Sequence, residues 1–222
     1  MRIQPLHPWE VTPAEAIRLQ EHLRERVVTG ENLDEIRVVA GVNVSIREGL
    51  ARAAIVALSF PDLTVSEVVR AEAVATFPYV PGLLAFREAP VILAACQKLA
   101  TDPDLFIFDA HGLAHPRRFG LACHVGLILD KPAIGCARSP LCGEHGELPP
   151  TAGAWVPLYE RDEVIGAAVR TRGQVKPVYV SVGHRMTLET AIRYILATCR
   201  GYRQPEPCRF AHQAAGQPEW PR

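Results

Sequence analysis

An aspartate stands directly after a short, fully apolar run near the middle of the chain. The run is Leu105-Phe106-Ile107-Phe108, and Asp109 opens the segment Asp109-Ala110-His111-Gly112 that follows it. Four apolar residues of this kind are typical of a buried central strand. Because α/β sheets place their active sites at the carboxyl ends of such strands, we interpret Asp109 as a functional carboxylate. An N-cap or turn aspartate is the structural alternative.

A second candidate carboxylate, Glu88, follows a conformationally restricted segment. The segment Pro78-Tyr79-Val80-Pro81-Gly82 contains two prolines, which restrict φ, and a glycine available for a turn. Such a segment would hold the ring of Tyr79 rigidly outward, which a protein needs in order to wedge an aromatic side chain into a base stack. The alternative is a hairpin loop with a packed tyrosine.

The remaining polar candidates are less specific. Five histidines are either functional groups or hydrogen-bonded structural residues: His111, His115, His124, His184 and His212. In the segment His115-Pro116-Arg117-Arg118, two guanidinium groups could meet phosphates or form a solvated charged turn. Cys136, Cys142 and His145 are conceivable zinc ligands, but their spacing matches no regular zinc module.

The elements that would position these residues form a mixed α/β pattern. Thr12-Pro13-Ala14-Glu15 has the features of a capping box and predicts a helix to about Val28. Short polar joins predict antiparallel hairpins over residues 36–45, 51–60 and 63–76. Helices over 88–100, 119–129 and 188–200 then alternate with strands over 105–108, 133–136, 164–171 and 178–182. This order predicts an α/β fold whose mixed β-sheet has three antiparallel first strands and is flanked by helices.

Length and composition are those of one globular domain without a membrane span. The chain has 222 residues, 24 basic and 24 acidic side chains and 48% apolar residues. We expect a single domain over residues 1–222 with an irregular tail from about residue 205. No apolar run approaches the roughly 20 residues needed to cross a bilayer, and no signal peptide is evident. We therefore expect a cytoplasmic protein with reduced cysteines, and nothing in the sequence demands more than a monomer.

Six segments together resemble motifs of the endonuclease V family, in family order and across nearly the whole chain. They cover residues 39–45, 77–88, 109–117, 134–139, 180–184 and 205–212, of which the second is highly specific. The resemblance implies a ribonuclease H-like fold, which agrees with the element order. It also implies metal-dependent hydrolysis of a phosphodiester, usually the second bond 3′ to a deaminated base such as inosine.

The resemblance also implies roles for individual residues. Glu88 and Asp109 match metal-binding carboxylates, Asn43 falls on a third metal ligand, and His212 matches a histidine beside the metal. Arg138 matches a basic residue near the phosphate. Because Mg²⁺ prefers oxygen ligands, it is the implied cofactor, with Mn²⁺ as the alternative.

Base recognition is implied for two further sets of residues. The wedge that replaces the lesion in the base stack matches Pro78, Tyr79, Val80 and Pro81. The pocket for the everted base matches Gly82, Leu84, the backbone around Ala110, and His115. Unpairing a base for eversion costs a few kcal/mol, least for a mispaired base, and a tyrosine that fills the gap offsets part of that cost.

Three residues depart from the family pattern. Asn43 stands where the family has a metal-binding aspartate, and its amide keeps a carbonyl oxygen but carries no negative charge. Ala110 stands where glycine is usual, so its methyl group is expected to crowd the base pocket. Arg138 stands where lysine is usual, which keeps the charge and changes its shape. Glu48, in the predicted turn after the first strand, is a conceivable substitute carboxylate.

Asn43 leaves three interpretations: an endonuclease with slower turnover or an Mn²⁺ preference, a protein that binds distorted nucleic acid without cutting it, or a chain in which Asn43 replaces a natural aspartate. We predict a DNA repair endonuclease of reduced activity that acts on DNA containing deaminated bases. Inosine-containing RNA is the alternative substrate, since contacts to the 2′-hydroxyl distinguish the two. A structural binding module that shares only the fold would bind undamaged and inosine-containing duplexes equally.

Overall fold

A computed structural model describes residues 2–30, 33 and 35–217 of the chain. The α-helices are α1 (Pro13–Leu23), α2 (Leu84–Cys96), α3 (Leu121–Leu129), α4 (Leu188–Ala197) and α5 (Glu206–Gly216). The strands are β1 (Val38–Arg47), β2 (Leu50–Ser59), β3 (Val65–Val74), β4 (Leu105–Phe108), β5 (Ala133–Ala137), β6 (Trp155–Glu160), β7 (Glu163–Val169) and β8 (Val178–His184). Within these ranges, no helix has the length and apolar character that crossing a membrane requires.

In the described part of the chain, eight strands form one mixed sheet in the order β3-β2-β1-β4-β5-β8-β7-β6. The first three strands are antiparallel neighbours, whereas β4 runs parallel to β1 and β5 runs parallel to β4. The remaining strands β8, β7 and β6 continue the sheet with antiparallel pairs. The predicted fold class, a mixed sheet with three antiparallel first strands flanked by helices, is confirmed.

Alternation along the central strand β4 divides the core between two faces of the sheet. Leu105 and Ile107 pack in the cluster that includes α4 and α5, whereas Phe106 and Phe108 pack in the cluster that includes α2 and α3. All four side chains are at most 1% exposed, as a continuous apolar run predicts for a strand covered on both faces. The carboxyl end of β4 is therefore held from both sides.

The C-terminal segment forms the helix α5, so the prediction of an irregular tail from about residue 205 is wrong over the described residues. Pro205 is the N-cap and Pro207 lies in the first turn, where a missing N–H breaks no helical hydrogen bond. Small residues of this helix are fully buried: Cys208, Ala211, Ala214 and Ala215. They permit so close an approach to β1 that a Cβ added to Gly41 would lie 1.9 Å from the Pro207 carbonyl oxygen. Residues 218–222 of the predicted tail lie outside the described residues.

Other elements also differ from the prediction. The strand β6 was not predicted, and it contains Pro157, which a strand tolerates at the edge of a sheet. The helix α2 runs from Leu84 to Cys96, so it begins before its predicted start at residue 88 and ends before its predicted end at residue 100. The helix α1 ends at Leu23, where a 3-10 turn follows, and does not reach Val28.

Candidate active site

Asn43 and Asp109 meet at the carboxyl end of β4. The strands β1 and β4 are parallel with Val42 opposite Phe108, so the next residue of each strand falls side by side. Nδ2 of Asn43 donates a hydrogen bond to Oδ2 of Asp109 at 2.9 Å. Because a carboxylate only accepts hydrogen bonds, this contact fixes the orientation of the amide and leaves Oδ1 of Asn43 available as an oxygen donor atom for a cation.

Glu88 contributes a second carboxyl group from α2. The pKa of Glu88 is raised to about 8, mainly by burial and secondarily by the negative charge of Asp109. The positive charge of Arg87 lowers this pKa and offsets part of the rise. Burial also raises the pKa of Asp109, whose side chain is only 3% exposed. A buried carboxyl group whose pKa is raised by burial and by a neighbouring carboxylate is a feature of functional sites.

Polar and basic groups around Asp109 partly oppose the rise of its pKa. Nη2 of Arg138 lies 3.6 Å from Oδ2 of Asp109, and the Arg138 side chain is 52% exposed. The amides of Gln204 and Asn43 and the exposed His212 on α5 act in the same direction as Arg138. The structure therefore brings together the four residues predicted to be catalytic, and Asn43 with them.

This set of donor atoms fits a hard divalent cation. The carboxylates of Glu88 and Asp109 and the amide oxygen of Asn43 are oxygen ligands of the kind that Mg²⁺ and Mn²⁺ take in proteins. A cation among them would also offset the burial that raises both pKa values and the repulsion that raises the pKa of Glu88. In the residues that the structure describes, no three His, Cys, Asp or Glu side chains are grouped to hold a metal, so an amide would have to complete the ligand set.

Glu48 does not lie near this set. It occupies the exposed turn between β1 and β2, with a positive φ of 51°. At about 3.3 Å per residue, it is about 16 Å along the strand from Asn43. The conceivable substitute carboxylate is therefore not brought to the site.

The predicted wedge is an exposed loop directly before α2. Tyr79 is 74% exposed, whereas Phe77 and Leu83 on either side of it are buried. The backbone N–H of Leu83 donates to the carbonyl of Val80 at 3.0 Å, and Gly82 has a φ of +79°. With proline and glycine at its two central positions, this is a type II turn. The Tyr79 ring is not packed into the protein, and it is presented outward as a wedge requires.

A cavity of about 140 Å³ lies beside the wedge. The predicted residues that line it are Tyr79, Val80, Pro81, Gly82, Leu84 and His115. The candidate histidine His111 also lines it, and Gln20 and Leu141 are among the unpredicted lining residues. A concave, mostly apolar site with a few fixed polar groups is the usual form of a small-molecule pocket. The arrangement is suited to one planar base.

His115 forms a buried wall of this cavity. Its Nδ1 accepts the backbone N–H of Arg117 at 3.1 Å, so Nε2 carries the proton and donates to the Gly82 carbonyl at 2.9 Å. Burial lowers the pKa of His115 to about 4, and the ring is neutral at pH 7. Since both ring nitrogens are engaged within the protein, His115 shapes the pocket and does not offer a spare nitrogen to a base.

Ala110 does not line the cavity. It continues the alternation of Phe106 and Phe108, so its methyl group packs in the core with α2 and α3. The expected crowding of the base pocket by this methyl group therefore does not occur.

The two adjacent arginines face the protein. Arg117 turns inward and donates to Oε1 of Gln20. Arg118 forms ion pairs with Glu160 at 2.5 Å and Glu163 at 2.8 Å. In this structure both guanidinium groups are engaged by acceptors of the protein itself, so neither forms a solvated charged turn, and contact with a phosphate stays a prediction.

The residues of the site that were not predicted include Gln20, Leu141 and Gln204. Gln20 on α1 and Leu141 in the loop after β5 reach the cavity from distant parts of the chain. Neither belongs to a chemical pattern in the sequence, because only tertiary packing brings them there. Gln204 directly precedes the segment 205–212, and that neighbourhood is the only signal that could have indicated it.

Sequence comparison relates the whole chain to one family. A model of the endonuclease V family matches residues 21–213. The endonuclease V of Roseiflexus castenholzii is 50% identical over 216 residues, which cover 97% of each chain. Similarity therefore extends over the wedge, both carboxylates and α5.

Solved structures agree with this relationship. The crystal structure of endonuclease V from Streptomyces avermitilis matches with a TM-score of 0.91 and 38% identity, covering 98% of this chain and 97% of that one. An endonuclease V from Ciona intestinalis, solved with a 24mer DNA containing an inosine followed by a ribo-adenosine, matches with a TM-score of 0.80 and 27% identity over 92% and 96% of the two chains. On the family match, the identity and the shared architecture, this chain belongs to the endonuclease V family.

Proposed function

We propose that this protein is a metal-dependent endonuclease that recognises deaminated bases, deoxyinosine above all, in DNA and hydrolyses the second phosphodiester bond 3′ to the lesion. One observation carries the proposal: the oxygen donors of Asn43, Glu88 and Asp109 lie in the same molecule as a small cavity rimmed by the exposed Tyr79. The inosine-containing DNA bound by the Ciona intestinalis relative supports the substrate class. The position of the cut rests on the family resemblance.

Glu88, Asp109 and Asn43 would hold the cation, which is Mg²⁺ or Mn²⁺ in this proposal. When bound, such a cation lowers the pKa of a coordinated water and stabilises charge that develops on the phosphoryl group. The half-exposed Arg138, 3.6 Å from Asp109, would contact a phosphate oxygen through its guanidinium group. His212, exposed on α5 near Asp109, would exchange a proton with the reacting groups or with solvent.

Reading of the base would fall to the wedge and the cavity. Tyr79 would fill the gap in the stack and offset part of the few kcal/mol that eversion costs. Because the buried His115 is neutral at pH 7, it adds no charge to the cavity wall, which favours an uncharged base over a phosphate. The cavity thus complements a base that has left the duplex.

Asn43 would slow the reaction. Its amide oxygen would be a ligand without negative charge and would hold the cation less tightly than a carboxylate does. We expect slow cleavage that is faster in Mn²⁺, because Mg²⁺ demands near-ideal octahedral geometry and loses its waters reluctantly. The same residue favours a second candidate function, namely binding of inosine-containing or distorted DNA or RNA without cleavage.

The proposal is tested with an end-labelled DNA duplex that carries one deoxyinosine, incubated with the protein in Mg²⁺ and in Mn²⁺. A duplex with deoxyadenosine at that position and an inosine-containing RNA are run beside it. Asp109→Asn is the matched control, because it removes a ligand charge with little change of shape. We expect one product from the inosine duplex, whose length gives the bond cut, and none from Asp109→Asn.

Gel shifts on the same duplexes separate the alternatives. Preferential binding of the inosine duplex without cleavage in either metal would support the non-cleaving function. Equal binding of both duplexes without cleavage would contradict both functions and favour a structural binding module.

A further inference from the structure

The type II turn Val80–Leu83 fixes the shape of the wedge loop but not its position on the sheet. Only the turn's own hydrogen bond, from Leu83 N–H to the Val80 carbonyl, lies within the loop. The loop tip is otherwise solvent-exposed at Tyr79. A wedge that enters a base stack meets resistance of a few kcal/mol, so it needs a support outside itself.

The Gly82 carbonyl supplies that support. It accepts hydrogen bonds from three side chains: Nε2 of Gln20 at 3.0 Å, Nε2 of His115 at 2.9 Å and Nη2 of Arg117 at 2.8 Å. A carbonyl oxygen has two lone pairs, so three donors leave it no capacity for a ligand or water. The donors come from two separate parts of the chain, α1 and the loop before α3.

Gln20 joins these two parts. Its side chain is buried on α1, and its amide makes three contacts. Nε2 donates to Gly82 and also to the Phe119 carbonyl at 3.1 Å, while Oε1 accepts Nε of Arg117 at 2.6 Å. Every polar atom of Gln20 is thereby committed, and no contact remains for a base. Its role is positional, although it lines the cavity.

We propose that Gln20 is a positioning residue that, with Arg117, clamps the Gly82 carbonyl and so holds the wedge at the angle needed for base eversion. This inference rests on the proposed function, because the clamp matters only if the wedge enters nucleic acid. Its mechanical part, the local stiffness of the turn, does not depend on any substrate. The two parts can therefore be measured separately.

The stiffness is measured by amide hydrogen exchange in the protein without DNA. Gln20→Met keeps the length of the side chain and removes all its polar contacts, and Gln20→Glu keeps an acceptor for Arg117 but loses both donors. We expect both variants to speed exchange of the Leu83 amide at least tenfold and to leave Phe106 in β4 unchanged. His22→Gln, an exposed change on the same helix, is the matched control. If Gln20→Met does not fold, Gln20→Glu alone decides the result.

The effect on base reading is measured as the ratio of Kd values for the undamaged and the inosine-containing duplex. In the Gln20 variants we expect this ratio to fall at least tenfold. The Kd for the undamaged duplex and the Mn²⁺ affinity measured by calorimetry should stay unchanged. A merely structural defect would move all three quantities together.

The outcomes separate the clamp from the proposed function. Unchanged Leu83 exchange in both variants overturns the clamp. Faster exchange with an unchanged Kd ratio also overturns it as a device for base reading. If the parent protein binds both duplexes equally, the proposed function fails, whatever the exchange at Leu83 shows.

Discussion

Nδ2 of Asn43 donates a hydrogen bond to Oδ2 of Asp109 across 2.9 Å, at the point where β4 ends. An aspartate in place of Asn43 would set two carboxylates at this separation, in a site where burial already raises the pKa of Asp109. The amide removes that repulsion when no cation is bound. In the proposed function it would also withhold a negative charge from a bound cation, so it would stabilise the protein at the expense of metal affinity.

Asn43→Asp should therefore make stability depend on metal. In EDTA we expect its free energy of unfolding to fall by about 1–3 kcal/mol, the usual cost of an unpaired buried group. Each tenfold gain in Mg²⁺ affinity should return about 1.4 kcal/mol at saturating Mg²⁺. Thermal and urea unfolding with and without Mg²⁺ measure both effects. The exposed change Gln97→Glu is the control, and an equal response of the two variants to Mg²⁺ would contradict the assignment.

Tyr79→Ala should weaken recognition without weakening the fold. Because the side chain is 74% exposed, the free energy of unfolding should change by less than about 0.5 kcal/mol. Stacking of an aromatic ring on a base is worth about 1–3 kcal/mol, so binding of the inosine duplex should weaken tenfold or more. Tyr159→Ala, on an exposed tyrosine of β6, is the matched control in anisotropy titrations. The wedge assignment is wrong if the two variants bind alike.

Acid should destabilise the protein partly through His115. Its folded pKa of about 4 lies below the value of about 6.5 for an unfolded chain. The unfolded state therefore binds more protons between these values, and stability is lost as the pH falls from about 6.5 to about 4. The contribution reaches about 3 kcal/mol at most. Urea unfolding at pH 7 and pH 4 should show a smaller loss for His115→Gln, which keeps a donor for Gly82, than for the parent. Equal losses would show that His115 does not titrate in this way.

Gly41→Ala should disrupt the contact between β1 and α5. The added Cβ would lie 1.9 Å from the Pro207 carbonyl oxygen, a backbone atom that cannot rotate away. We expect a loss of about 2 kcal/mol or more from overpacking, with reduced cleavage because α5 carries His212. At Gly146 an added Cβ meets nothing within 4 Å, so Gly146→Ala serves as the control in urea unfolding. Similar stability of the two variants would mean that α5 can shift freely.

Much of the fold follows from local patterns in the sequence. The apolar run Leu105–Phe108 predicts both ends of β4 correctly. The polar joins predict the ends of the first three strands to within about two residues. The helix α5 could not be predicted in this way, because Pro205 and Pro207 suggest irregular chain until their place in the first turn is known. Pro157 similarly obscures β6, which is a strand only because it lies at the sheet edge.

The site was predictable where its residues lie at strand ends or in a recognisable motif. Asn43 and Asp109 meet because β4 ends beside the middle of the parallel strand β1. Gln20 and Leu141 could not be predicted from the sequence, because nothing near them indicates the cavity that they line. For Arg117 the sequence left a phosphate contact and a solvated turn open, whereas in the structure its guanidinium group donates to the Gly82 carbonyl. Burial of a charged side chain depends on distant partners that local sequence does not reveal.

The most direct test of the central claim compares the cleavage rate of this protein and its Asn43→Asp variant on one deoxyinosine duplex, in Mg²⁺ and in Mn²⁺. If the site is a cation centre that lacks one carboxylate, the variant should cut at least tenfold faster in Mg²⁺, a difference of about 1.4 kcal/mol in the barrier. The gain should be smaller in Mn²⁺. Equal rates in Mg²⁺ would contradict the account, since position 43 would then contribute no charge that the reaction needs.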